Sequence, residues 1–199
     1  MEKRRIRTIP CLMIGLVLLS TGCHKEDRDA RVPVKGSMAS FYDLKGFFSK
    51  EIKRLDRLQP EGTKTVRFDG ASETIDMKGK PADYSKELAS FVSSDINKLS
   101  WREKYRIDTV SIANGMREIR YTALDEHLKT REIRLLFKEN SLKEVRIKNR
   151  LKSIIAESTQ ELSYITGSGY AIEGVQGSRI GRSRAFSVSV ALKEKGGNG

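Results

Sequence analysis

The chain has 199 residues, of which 38% are hydrophobic and 32% charged, with a formal net charge of +12 and two cysteines. That length suits one ordinary domain with its own core, and the apolar residues recur periodically from Phe41 to Leu192, which excludes a disordered chain. Two cysteines exclude a disulfide framework, and two histidines, His24 and His127, exclude a zinc site with close ligand spacing.

Taken in chain order, the first segment is a leader. Lys3, Arg4, Arg5 and Arg7 are followed by the apolar run Leu12 to Leu19 and the small residues Ser20-Thr21-Gly22 before Cys23. This is the tripartite pattern of a secretory signal peptide. The apolar run is too short to span a membrane, which takes about 20 residues. Residues 1–22 are therefore expected to be removed. They account for +3 of the charge, so the remainder keeps +9 and should favour anionic partners.

Leu19-Ser20-Thr21-Gly22-Cys23 resembles the lipobox of bacterial lipoproteins, in the looser form seen in Bacteroidetes, with Ser20 in the place where leucine is usual. The resemblance implies a diacylglyceryl thioether and a palmitate-type N-acyl chain on Cys23. Several acyl chains anchor a protein stably where one does not. The membrane is thus the first partner implied. Lys25-Glu26-Asp27 resembles the surface-export signal of the same group, so both the periplasmic leaflet of the outer membrane and the cell surface are open as locations.

Residues 24–40 are polar, with Pro33 and Gly36, and with Cys23 read as a lipidated tether. Phe41, Leu44, Phe48, Ile52 and Leu55 predict an amphipathic helix over Phe41 to Leu58, capped by Ser40 with Asp43 and stopped at Pro60. Val66 and Phe68, then Ile75 and Met77, flank Asp69-Gly70 and predict a hairpin. Asp83 caps a second helix, Tyr84 to Leu99, with one stripe from Tyr84 through Leu88, Phe91 and Ile96 to Leu99. Trp101 follows it.

Beyond Lys104 the period changes to two. Tyr105 and Ile107 precede Val110 and Ile112 of opposite parity, which predicts a bulge near Asp108. Asn114-Gly115 is a hairpin turn, and a further turn falls at Glu139-Asn140. The strands expected in this region carry Ile119, Tyr121 and Ala123, then Ile133, Leu135 and Phe137, then Val145 and Ile147. Others are expected over Leu151 to Ala156, Gln160 to Ile165, Tyr170 to Gln176 and Ala185 to Leu192. Residues 194–199 read as a polar tail.

The fold class expected is α+β: two amphipathic helices packed on a curved antiparallel meander, in one domain over residues 41–193. An open half-barrel is the first choice and a closed lipocalin-like barrel the alternative. This architecture resembles the LolA and LolB group of lipoprotein carriers. Ser94-Asp95-Ile96-Asn97-Lys98 through Trp101, with Tyr121-Thr122-Ala123-Leu124-Asp125, resembles a group of uncharacterised Bacteroidetes lipoproteins, a likeness that implies no activity.

The residues offer little chemistry. There is no Gly-x-Ser-x-Gly elbow, no acidic loop for calcium, and Thr166-Gly167-Ser168-Gly169 joins two strands instead of opening a helix. His127, between Glu126 and Leu128 in a connection, reads as a solvated turn residue. No catalytic residue, metal or cofactor is expected, and the chain is read as a non-enzyme. The conspicuous pattern is charge on the outward side of the meander, where Glu118, Glu132 and Glu144 accompany Arg120, Arg134, Lys138, Arg146 and Lys148. Glu is expected opposite Arg on adjacent strands. The cations are the candidate anion- or partner-binding residues. Leu136 is an apolar outlier among them. Nucleic acid is not expected as a partner, because no aromatic residues are interleaved with these cations. The function expected is a hydrophobic ligand or partner segment held in the concave sheet. The alternative is an accessory role, binding an anionic envelope component through the basic sheet face.

Overall fold

The computed structural model describes residues 41–178 and 181–193. The leader, Cys23, the tether, Ser40 and the 194–199 tail lie outside them. The elements run in the order α1 (Leu44–Leu58), β1 (Gly62–Phe68), β2 (Ala71–Asp76), α2 (Tyr84–Glu87), α3 (Ala89–Val92), then β3 (Tyr105–Ile112), β4 (Met116–Ala123), β5 (Thr130–Lys138), β6 (Ser141–Lys152), β7 (Ala156–Ile165), β8 (Gly169–Ser178) and β9 (Arg184–Leu192). All nine strands form one antiparallel sheet in the order β2-β1-β9-β8-β7-β6-β5-β4-β3. The sheet is open, because β2 and β3 are its two edges. The closed barrel is thereby ruled out. The first hairpin is not a separate unit either: β1 pairs with β9, joining Gly62 to Leu192.

Alternation along the strands sorts the side chains onto two faces. One cross-strand row runs Tyr121, Ile133, Ile147, Leu162, Ile172, Val188, Val66. A second runs Ile119, Leu135, Val145, Tyr164, Tyr170, Val190. The helices lie on these rows. Leu44, Phe48 and Leu55 of α1, together with Tyr84, Leu88, Phe91 and Ile96, share one buried cluster with the sheet. Burying such side chains supplies about 1.5–3 kcal/mol each, which is what holds short helices that could not persist alone. Aromatic edges meet at the centre: Phe48 lies 5.2 Å from Tyr164 and 4.9 Å from Phe91 between ring centroids.

Several boundaries depart from the sequence reading, each for a local reason. Helix α1 starts at Leu44, not Phe41, because Asp43 is its cap and accepts a hydrogen bond from the Gly46 N–H at 2.8 Å. The second helix is broken. Leu88, at φ −99° and ψ 8°, separates two four-residue turns, and the stripe ends at Ile96, leaving Leu99 exposed. Beyond α3, Ser93 and Ser94 both donate to the Ser90 carbonyl, and Asp95 accepts from the Asn97 N–H. Such side-chain bonds compete with helix continuation. The bulge expected near Asp108 is absent: β3 pairs with β4 without interruption, and Val110 and Ile112 simply point outward, exposed. The register shifts fall in β5–β6 instead, between Thr130 and Glu132 and between Leu136 and Phe137. The strand expected over Leu151 to Ala156 is divided, because β6 ends at Lys152 and β7 begins at Ala156.

Candidate functional site

The helix-covered face is a filled core. Leu135 and Val145 have no exposed surface, and Phe48 none on the helix side. Most of its polar groups are bonded inward, the Tyr84 hydroxyl and the Asn149 carbonyl oxygen excepted. Glu51 of α1 accepts hydrogen bonds from the Tyr164 hydroxyl and the Arg54 guanidinium. Glu87 of α2 accepts from Tyr170 at 3.1 Å and pairs with Lys64. Deeper in, Asn149 donates to Ser94 at 2.8 Å, Thr130 donates to the Ser94 carbonyl at 3.2 Å, and Tyr105 donates to the Thr130 carbonyl at 2.8 Å. These bonds tie β3, β5 and β6 to the turn after α3. Burial raises the pKa of Tyr164 and Tyr170 well above the ordinary tyrosine value, and the neighbouring Glu51 and Glu87 add to it. Tyr105 is pushed up to about 12 by burial. These three phenols are held neutral by the fold.

The opposite face carries the cations singled out in the sequence. Arg120, Arg134 and Arg146 are direct cross-strand neighbours in a single row that begins at Asp108 and continues to Ser163. Arginine therefore faces arginine across the ladder. The expected pairing of Glu opposite Arg is not what forms. Each arginine pairs along its own strand instead, two residues back: Arg120 with Glu118 at 2.7 Å, Arg134 with Glu132 at 2.9 Å, and Arg146 with Glu144. Two residues is the repeat that returns a strand side chain to the same face. The bond to Glu118 raises the Arg120 pKa, and that to Glu144 raises the Arg146 pKa. Lys148 is one row away, 3.9 Å from Glu161. Lys138 lies apart, beside Ser141 and Met116 near the far end of β5. The sheet thus brings Arg120, Arg134, Arg146 and Lys148 together, with carboxylates interleaved, so this block alternates in charge instead of being uniformly basic. Leu136 does face outward among them, opposite Glu144 and half-buried.

Across the sheet lies a trough of about 940 Å³. Three consecutive cross-strand rows over β6, β7, β8, β9, β1 and β2 make it. Its lining draws on Lys148, Glu161, Glu173 and Arg67 of one row, Arg150, Thr159 and Val175 of another, and Gln160, Gly174 and Phe186 of the row between them. Gly174 is required there: a Cβ would lie 2.6 Å from the Thr159 carbonyl oxygen and 2.7 Å from the Phe186 ring. The sequence reading missed this trough: alternation marks which residues share a face but not where a concavity forms, and Arg67 joins the residues of β6 to β8 only when β1 pairs with β9.

His127 is exposed, and its backbone N–H donates to the Asp125 carboxylate at 2.9 Å in a turn. Among the described residues no group of three His, Cys, Asp or Glu could hold a metal ion. No helix among them is long and apolar enough to cross a membrane. No family model, no curated protein and no solved structure matches the chain.

Proposed function

We propose that the chain is a non-enzymatic lipoprotein of the bacterial outer membrane, anchored by acyl chains on Cys23. Its sheet, packed on one side by its own helices, offers the trough to an acidic glycan of the envelope. The observation that carries this reading is the trough, a large open concavity, whereas Phe48, Phe91 and Leu88 pack on the apolar face expected to hold a hydrophobic ligand. The trough crosses six strands in an extended line. Lys148, Arg150 and Arg67 offer charge to sugar carboxylates, and Thr159, Ser187, Glu161 and Glu173 offer hydrogen bonds to sugar hydroxyls. The leader pattern and the lipobox-like Leu19 to Cys23 support the envelope address.

The test is affinity electrophoresis of residues 24–199 through gels containing acidic or neutral polysaccharide. Retardation by the acidic polymer, lost in Arg67→Glu/Lys148→Glu, is the expected result. Equal mobility in both gels refutes the glycan reading. The anchor is checked separately: palmitate labelling in the native host should vanish in Cys23→Ala.

A further inference from the structure

The start of β7 lies beside the end of β8, pairing Ala156 with Ser178. The β6–β7 connection is tight. Ser153 N–H donates to the Ala156 carbonyl at 2.8 Å, and the Ala156 N–H donates to the Ser153 hydroxyl at 3.0 Å. That closure puts Ile154 and Ile155 at the two corners of the turn, with no way to fold back. They are 85% and 68% exposed, and Leu151 beside them 61%. Turn corners favour Gly, Asn, Asp and Ser, and the hairpin turns at Asp69-Gly70, Asn114-Gly115 and Glu139-Asn140 each use at least one of them. Two β-branched apolar residues at such corners break the local rule with no contribution to the core, and a broken local rule of this kind marks a functional surface.

Cations surround the tip. Lys152 ends β6, and Arg182 and Arg184 stand on the neighbouring hairpin, all exposed. None of the three forms an ion pair among the described residues, whereas Arg150, the next cation inward, is held by Glu157 at 2.6 Å. We propose that the β6–β7 tip docks on a bilayer surface, with Ile154 and Ile155 entering the acyl boundary and Lys152, Arg182 and Arg184 taking anionic phospholipid headgroups. An apolar point ringed by unpaired cations is the complement of an anionic lipid interface, where apolar burial and surface attraction act together. The inference rests on the envelope address proposed above, but involves neither the acyl chains nor the trough.

The test therefore uses residues 24–199, which hold the whole sheet and core and contain no cysteine. An environment-sensitive dye is attached through Ile154→Cys, or through Ile112→Cys beside the hairpin turn at the opposite end of the sheet. Vesicles of phosphatidylglycerol with phosphatidylethanolamine should shift the dye emission to the blue at position 154 and leave position 112 unchanged. Vesicles of phosphatidylcholine alone should give little shift. In sedimentation, Ile154→Ser/Ile155→Ser and Lys152→Glu/Arg182→Glu/Arg184→Glu should each weaken binding to the anionic vesicles by about tenfold or more. These positions are exposed, so circular dichroism should show an unchanged fold. No shift on anionic vesicles, equal shifts at both positions, or binding indifferent to both sets of substitutions overturns the proposal. Loss of glycan retardation leaves these readings untouched, so the two ideas fail separately.

Discussion

Tyrosine is the residue type this fold uses most distinctively. The chain has six, and burial raises the pKa of every one: Tyr42, Tyr84, Tyr105, Tyr121, Tyr164 and Tyr170. A raised folded value means the fold favours the neutral phenol. Stability from these groups is therefore complete below the ordinary value near 10 and is lost progressively as pH rises above it. An absorbance titration should show no phenolate forming at the ordinary tyrosine value in the native protein. Ionisation should instead coincide with loss of the sheet signal in circular dichroism. Phenolate appearing near pH 10 with the sheet intact would contradict the packing described for these rings. A second residue-scale contrast concerns positive φ. Glu139, at φ 56°, occupies a turn corner where a left-handed conformation is costly. Glu139→Asn should stabilise by about 0.5–1 kcal/mol, read from denaturant midpoints. Gln59, at φ 39°, looks similar in backbone alone. Its side chain, however, accepts from the Ala82 N–H at 2.9 Å and donates to the Ala82 carbonyl at 3.2 Å, fastening the end of α1 to the loop before α2. Gln59→Gly should destabilise by about 1–2 kcal/mol despite relieving the backbone.

At the scale of elements, the parts written in local chemistry were legible. The hairpin turns at Asp69-Gly70 and Asn114-Gly115 stand where expected, each with both corners at positive φ. The apolar alternation from Tyr105 to Ile147 puts Tyr121, Ile133, Leu135, Val145 and Ile147 in the core as read. What failed were places where apolar residues do not mark a buried face. Val110 and Ile112 looked like an inward set and so suggested a bulge, but they lie on the outer face of edge strand β3. Ile154 and Ile155 looked like strand and form a turn. Leu99 looked like the end of a helical stripe and is exposed. Periodicity assumes that apolar means inward, and each error sits where that assumption breaks. Of the candidate site, the row of Arg120, Arg134 and Arg146 was legible as outward charge. Its partners were not, because pairing along a strand or across it depends on register. The helix elements carry a prediction of their own. Phe48 touches Phe91, Phe47 and Tyr164 at once, so Phe48→Ala should cost about 3–5 kcal/mol in denaturant unfolding. Leu58→Ala on the same helix, at a 47% exposed position, should cost less than about 0.5 kcal/mol. Similar losses at both would mean that α1 does not bury the face assigned to it.

For the whole molecule, the deciding fact is where the two helical segments go. A nine-stranded open sheet has two faces and two edges to account for. Its edges carry charge, as in Arg106 and Asp108 on β3, which discourages strand addition. One face is balanced in charge and solvated. The other is apolar across seven strands and would bind hydrophobic molecules if left bare. Sequence order alone could not tell a carrier from a closed core, since both need the same inward residues. Here α1 returns over Tyr164, and its Phe47 and Phe48 rings pack on that face. Any apolar ligand seated there must displace Phe48, Phe91 and Leu88, all without exposed surface. A native mass spectrum of residues 24–199 purified from cells rich in lipid should therefore show the bare polypeptide mass. A lipid-sized excess that disappears on denaturation would mean that the helices lift from the sheet as a lid. Hydrogen exchange would then have to show the α1 amides opening far more readily than those of β6 and β7.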